Sequence, residues 1–230
     1  MTFSIIIFSY NEANTLPKVI VDALSFLHHH AATSELVIVD DGSSDNTKEV
    51  CLAFKAKHPE VKLISHPKNL GIGQALKTGY SAAQYEYVCA IPGDGQFDVN
   101  ELAIIRPFSY STYYSFYRTI TGYSLYRKTL SWLNRLFNQH FLGIYLRDVN
   151  WIKVYRKDQL DALNLSLTSS LIESEICAKL YKKGTTPIEI PSKYLQRTHG
   201  EPKGGSWHTL KKAIQDLIKL WWVVTTFKAK

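Results

Sequence analysis

Along the first hundred positions, apolar residues fall in short continuous runs, each followed by a polar or glycine-containing stretch and then by apolar residues at helical spacing. The first run is Phe3-Ser4-Ile5-Ile6-Ile7-Phe8. Leu36-Val37-Ile38-Val39 lies in the second, residues 35–39, and further runs cover 61–65 and 87–91. Unbroken, β-branched runs of this length predict strands buried on both faces, as in parallel sheets. Helical spacing between them predicts helices over about 15–27, 45–57 and 70–83. His28, His29 and His30 close the first helix as a solvated C-terminal cap. The alternation predicts an α/β fold, a doubly wound, mostly parallel sheet with helices on both faces.

After residue 100 the rhythm changes. Tyr110, Tyr113, Tyr114, Tyr117, Tyr123 and Tyr126 crowd one stretch. A basic helix is expected over 125–141, a strand over 149–155, a helix over 171–183, a strand over 188–190 and a last helix over 207–226. Residues 200–206 are linker-like. The expected organisation is one domain over 1–200, with a 1–100 half and a 101–200 half, followed by an amphipathic C-terminal helix within 201–230. That helix carries Trp207, Leu210, Ile214, Leu217, Ile218 and Trp221 on one stripe, with Lys211, Lys212 and Lys219 beside or opposite it. A basic amphipathic helix with tryptophan suits a membrane surface, and the same stripe suits packing on the protein's own core.

The 230 residues suffice for one α/β domain with a full core. Cys51, Cys89 and Cys177 have neither disulfide nor zinc spacing, which fits a reducing compartment. Net charge is +7 but unevenly spread. Residues 1–100 hold 7 Lys/Arg and 11 Asp/Glu, a net −4, while 101–230 hold 20 and 9, a net +11. The acidic half suits sugar hydroxyls or a metal, and the basic half suits phosphate or an anionic membrane surface. Nucleic acid is the weaker partner, because no nucleic-acid-binding signature is present. No signal peptide and no transmembrane run are expected.

Candidate chemistry clusters where strands end. Asp40 and Asp41 follow the second strand, where ligands of open α/β sheets bind. They suit hydrogen bonds from base and ribose, or a cation, while Ser43, Ser44 or Asp45 suits a helix cap. Asp94-Gly95-Gln96 follows the fourth strand on the same sheet edge, so a divalent cation is plausible there. Gly71 and Gly73 open a helix whose first amides favour phosphate. Glu173 and Glu175 diverge on their helix, and at least one is expected to be a solvated or N-terminal helix charge.

Tyr10-Asn11-Glu12, Val39-Asp40-Asp41-Gly42-Ser43, the Asn69/Gly71/Gly73/Ala75 set and Asp94-Gly95-Gln96 resemble glycosyltransferase family 2, with its GT-A fold. Arg118, then Arg127 with Ser131 and Asn134, then Asp148-Val149-Asn150, then Arg197, Gly200 and Lys203 resemble the dolichol-phosphate mannose synthase branch. The resemblance implies an inverting, metal-dependent transferase at the cytoplasmic face of a membrane. It would move a hexose from a nucleotide-diphosphate sugar, GDP-mannose or a UDP-sugar, to a polyprenyl or dolichyl phosphate. It also implies a peripheral membrane protein, with room for a membrane-anchoring partner subunit. Phe8, Tyr10, Glu12 and Asp40 would line the nucleoside pocket with Gly71 and Gly73 beside it, and Asp41 would sit by the ribose or metal. Asp94 and Gln96 would hold Mg²⁺ or Mn²⁺, and Arg118, Arg127, Arg197 and Lys203 the phosphates. Three positions depart from the pattern: Pro92 replaces the first Asp of the metal motif, Pro202 a common Ser, and Trp151-Ile152 a small residue and Phe. A family 2 transferase acting on a glycan hydroxyl, or a catalytically weak nucleotide-sugar-binding relative, is the alternative.

Overall fold

The structure, a computed structural model, describes residues 1–119, 125–197 and 207–228; the side chains of 125–131, 133–134 and 207–215 fall outside the described residues. The strands are β1 (Thr2–Ser9), β2 (Thr33–Asp40), β3 (Val61–Ser65), β4 (Tyr87–Pro92), β5 (Thr112–Thr119), β6 (Lys153–Arg156) and β7 (Thr186–Lys193). The helices are α1 (Leu16–His30), α2 (Thr47–Lys57), α3 (Ile72–Ala82), α4 (Leu125–Leu142), α5 (Lys157–Asp161), α6 (Ile172–Lys182) and α7 (Trp207–Thr226). One sheet holds all seven strands in the order β3-β2-β1-β4-β6-β5-β7. β6 runs antiparallel to both neighbours, β4 and β5, and the other pairings are parallel.

The apolar runs explain this arrangement. Ile5, Ile6 and Ile7 of β1 and Leu36 to Val39 of β2 are fully buried. Alternate residues of a strand face opposite sides. Phe3 meets Phe26 of α1, while Ile6 lies against Gly79 of α3. The two helices therefore cover opposite faces, and β1 is buried on both.

From β1 the chain winds outward through β2 and β3, then returns to place β4 on the other side of β1. The gap between the ends of β1 and β4 is the switch point where open α/β sheets bind ligands. Because β5 and β7 run the same way as β4, the residues after them reach that edge too. So does the segment entering the reversed β6.

Several expected elements change. The tyrosine-rich stretch contains β5, in which Tyr113 and Phe116 are fully buried and Tyr114 nearly so. The strand expected over 149–155 begins only at Lys153. Glu173 and Glu175 are in the first turn of α6 but are buried, not solvated. Tyr80 and Tyr155 hydroxyls donate to Glu173 at 2.8 and 2.7 Å. Glu175 accepts from Lys179 Nζ at 2.6 Å and from the Ser166 and Leu167 amides. Burial, then the Glu173 charge, pushes the Tyr80 phenol well above its usual range.

The last helix differs from the expected stripe. Leu220, Val223 and Val224 of α7 face inward and Leu217 is half-buried, while Ile218 (78% exposed), Trp221 (50%) and Trp222 (60%) face outward. Lys182 Nζ donates to the Val224 carbonyl at 2.5 Å and the Thr225 carbonyl at 3.2 Å, satisfying the helix's last carbonyls. Trp207, Leu210, Lys211, Lys212 and Ile214 have side chains outside the described residues. Trp132 and Phe141 of α4, which contacts α7, and Tyr145 just after α4 are also exposed.

Candidate active site

Two loops at the switch point are stapled together. The Ser43 hydroxyl accepts from the Asn11 amide at 2.9 Å, Asn11 Oδ1 from the Ser44 amide at 2.7 Å, and the Thr47 hydroxyl from the Glu12 amide at 2.9 Å. Asp45 Oδ2 accepts from the Ala13 amide, and its Oδ1 from the Thr47 amide and hydroxyl. Burial opposes the Asp45 charge, but the Thr47 and Ala13 bonds outweigh it and hold the carboxyl below its usual value. The Ser/Asp/Asn cluster therefore caps no helix simply; it fixes the loop that carries Tyr10 and Glu12. Gly42 has φ +69°, and a Cβ there would stand 2.3 Å from the Lys68 carbonyl carbon, so only glycine fits.

Asp40 is buried at the end of β2 and accepts from the Ser43 amide at 3.1 Å. Asp41 is 3% exposed, with both oxygens engaged. Oδ1 meets His66 Nδ1 at 2.7 Å and accepts from the Leu70 amide at 3.0 Å; Oδ2 accepts from the Gly71 amide at 2.8 Å. Asp41 thus anchors the loop leading into α3. Gly73 is buried on the other side of that turn. A Cβ there would stand 2.0 Å from the Ser169 carbonyl oxygen, so its smallness serves packing between the two halves of the chain. That close approach is to protein backbone.

At the mouth between β1 and β4, Arg197 joins the two loops. Its Nη2 donates to Asp94 Oδ2 at 2.8 Å and lies 3.1 Å from Glu12 Oε1. Burial opposes the guanidinium charge, but Asp94 and then Glu12 outweigh it and raise the pKa. Glu12 is oriented by the Thr15 hydroxyl, which lies 3.1 Å from Oε2 and also reaches the Gly93 carbonyl. Asp94 Oδ1 accepts from the Gln96 amide, and Gln96 Nε2 donates to the Tyr194 hydroxyl at 2.5 Å.

A positive nitrogen thus stands between carboxylates from the two loops, with the Gln96 side chain nearby. These hard oxygen donors fit Mg²⁺ or Mn²⁺. Among the described residues, no group of three His, Cys, Asp or Glu side chains could hold a metal.

On the side of β5 and β6, Arg118 Nε and Nη2 donate to Asp148 Oδ2 and Oδ1 at 2.6 and 3.0 Å. The guanidinium lies over Trp151, 4.9 Å from the ring centre, and 5.8 Å from that of Tyr194. Trp151 Nε1 donates to the Ser192 hydroxyl at 2.9 Å, so the larger residue at this position forms the floor under Arg118. Below it, buried Lys153 donates to the Val149 and Trp151 carbonyls and lies 3.6 Å from Glu173.

The structure brings Tyr10, Glu12, Asp40, Asp41, Gly71, Asp94, Gln96, Arg118 and Arg197 to one sheet edge, on loops or at strand ends. Phe8 is half-buried near the end of β1, opposite Val39 and Pro92. The Arg127 side chain and Lys203 lie outside the described residues. Sequence reasoning missed His66, Tyr194 and Lys153. Only the last carried a signal, a lysine opening an apolar strand.

Comparison with known proteins agrees with this geometry. The family model described as "Glycosyl transferase family 2" matches residues 4–163. A dolichyl-phosphate beta-glucosyltransferase of Trichomonas vaginalis is 33% identical over 108 residues, covering 45% of this chain but only 33% of that protein. An undecaprenyl-phosphate mannosyltransferase of Micrococcus luteus is 25% identical over 86% of this chain and 85% of its own. Among solved structures, a glucosyl-3-phosphoglycerate synthase of Mycobacterium tuberculosis, in complex with Mn²⁺, UDP-glucose and phosphoglyceric acid, superposes with TM-score 0.69 at 16% identity, covering 96% of this chain and 80% of that one. The shared fold, the motif-bearing loops at its ligand-binding edge and the match over most of the sequence have one common explanation: the chain belongs to glycosyl transferase family 2.

Proposed function

We propose that the protein transfers a hexose from a nucleotide-diphosphate sugar, GDP-mannose or a UDP-sugar, to a polyprenyl or dolichyl phosphate at a membrane surface, inverting the anomeric centre. The acceptor class rests on one observation: Asp148, the carboxylate on the β5–β6 side of the site, has both oxygens engaged by Arg118. A glycan hydroxyl acceptor needs a general base within reach. An acceptor phosphate is already an anion and needs no deprotonation, only positioning and cationic neutralisation of charge. The Micrococcus luteus relative supports the same acceptor class, since it matches along nearly its whole length.

In this reading Phe8, Tyr10 and Asp40 line the nucleoside pocket, while Asp41 holds the Gly71 loop in place. Asp94, Gln96 and Glu12 would hold a divalent cation, whose chemistry when bound is to neutralise the leaving diphosphate. Arg118 and Arg197 orient phosphates, with Arg127 and Lys203 assigned the same task by resemblance. In-line attack by the acceptor oxygen displaces the diphosphate from the opposite face. Among the described residues no helix is long and apolar enough to cross a membrane. The outward aromatics of α4 and α7 support contact with a lipid surface or with a membrane-anchored partner subunit.

Incubation with GDP-mannose or UDP-sugars, Mn²⁺ or Mg²⁺, and a short polyprenyl phosphate should yield a lipid-linked sugar of inverted configuration, read by NMR of the anomeric proton. Transfer to a glycan hydroxyl with none to the lipid phosphate would overturn the acceptor assignment.

A further inference from the structure

Arg197 has two tasks that conflict. It is bound to Glu12 and Asp94, yet the proposed function puts its charge on phosphates. Two negative carboxylates against one guanidinium leave the mouth of the site negative, which repels an incoming diphosphate. The same two carboxylates, with Gln96 nearby, are the oxygen donors that suit a divalent cation. Arginine and cation therefore claim the same atoms. Arg197 also lies only four residues past the end of β7 and borders the segment that carries Lys203.

We propose that Arg197 and the divalent cation compete for Glu12 and Asp94, so that arrival of the cation turns Arg197 from the carboxylates to the substrate phosphates. The inference rests on the nucleotide-sugar reading of the site. It makes Glu12, from the β1 loop, the second carboxylate at the place where Pro92 removes one from the β4 loop. Arg197 then acts as a latch. With the latch closed, the acidic mouth is partly neutralised and the metal binds weakly. When the metal is bound, the carboxylates are neutralised by it and the guanidinium adds a positive charge to the diphosphate site. Arginine suits this exchange, because its planar fork pairs equally well with carboxylate and phosphate.

Calorimetric titration with Mn²⁺ alone, without nucleotide, tests the competition. Arg197→Gln should bind Mn²⁺ about tenfold more tightly than wild type, equivalent to ~1.4 kcal/mol. Arg197→Lys should stay near wild type, and Glu12→Gln in the Arg197→Gln background should reverse the gain. Thermal unfolding with and without Mn²⁺ provides a second readout: the cation should raise the midpoint more for Arg197→Gln than for wild type. Equal or weaker Mn²⁺ affinity in a folded Arg197→Gln would overturn the latch. So would a gain that survives Glu12→Gln. A parallel titration with UDP and GDP in the presence of Mn²⁺ addresses the underlying reading. If wild type bound neither nucleotide, the nucleotide-sugar assignment would fall, whereas the Mn²⁺ titration alone decides the competition.

Discussion

Arg118 and Asp148 meet edge to edge in a two-point ion pair, 2.6 and 3.0 Å, that links the end of β5 to the segment entering β6. Such pairs fix direction as well as charge. Trp151 below and Tyr194 beside the guanidinium restrict it further. The pair is partly buried, so removing one partner leaves a poorly solvated charge.

Asp148→Asn should therefore act on the acceptor. Loss of the fork lets Arg118 swing, and turnover with polyprenyl phosphate should fall about 10–100-fold while the donor nucleotide dissociation constant stays within about twofold. Steady-state kinetics paired with nucleotide calorimetry separate the two. A change confined to nucleotide affinity would move Arg118 out of the acceptor site.

Asp40 and Asp41 are adjacent but are expected to fail differently when changed. Asp40→Asn should weaken nucleotide binding by roughly 1–3 kcal/mol if a buried donor is left poorly paired, with little effect on unfolding. Asp41→Asn removes charge-assisted bonds to His66 and two backbone amides, so it should lower unfolding free energy by roughly 1–3 kcal/mol. Denaturant unfolding and nucleotide titration of both variants provide the comparison. The same loss in both assays for both variants would deny this division of labour.

The parts legible in the sequence were those with strong periodicity. β3 and α7 have the expected bounds, and β1, β2 and β4 lie within two residues of theirs, because continuous β-branched runs have few other uses. β5 was hidden because tyrosines with polar neighbours do not alternate cleanly, although Tyr113 is fully buried. The sequence leaves the inward face of α7 open for a related reason. Trp221 and Ile218 lie on a helical stripe with Leu217, and hydropathy alone does not say which side of a wide apolar helix the body of the protein covers. In the site, strand-end position marked the switch point correctly, since it follows from topology. Partner choice did not. Nothing in the spacing of Asp41 from His66, or of Asp94 from Arg197 103 positions away, indicates that they meet. The buried cysteines carry no site signal; burial raises their pKa, that of Cys51 to about 12.

Asp45 ties the loops together as an ion. Its pKa lies below the ordinary 3.8, so its contribution to stability is complete above that value and disappears as pH falls through the lowered one. Asp45→Asn should be less stable than wild type at neutral pH, and the gap should close only in acid, below about pH 4. Urea unfolding of both proteins from pH 7 to pH 3 measures it. A gap that persists unchanged at the acid end would mean the staple does not depend on charge.

The outward face of α7 makes the most direct test of membrane contact, because inward and outward residues can be changed separately. Trp221 and Trp222 are half or more exposed, while Val223 and Leu220 are buried. Trp221→Ala/Trp222→Ala removes little packing, so the unfolding midpoint should stay near wild type. Leu220→Ala should cost about 2–5 kcal/mol through the cavity it leaves. Membrane binding should show the reverse order. Tryptophan at the headgroup level and lysines near an anionic surface both favour it, each lysine by about 1 kcal/mol. Wild type should co-sediment with vesicles rich in anionic lipid, less so as salt rises and Debye screening shortens the reach of the basic half. The double tryptophan variant should lose most of that binding at low salt. A folded double variant that binds vesicles as wild type does would leave α7 as a packing element, and the lipid surface would have to be sought elsewhere on the molecule.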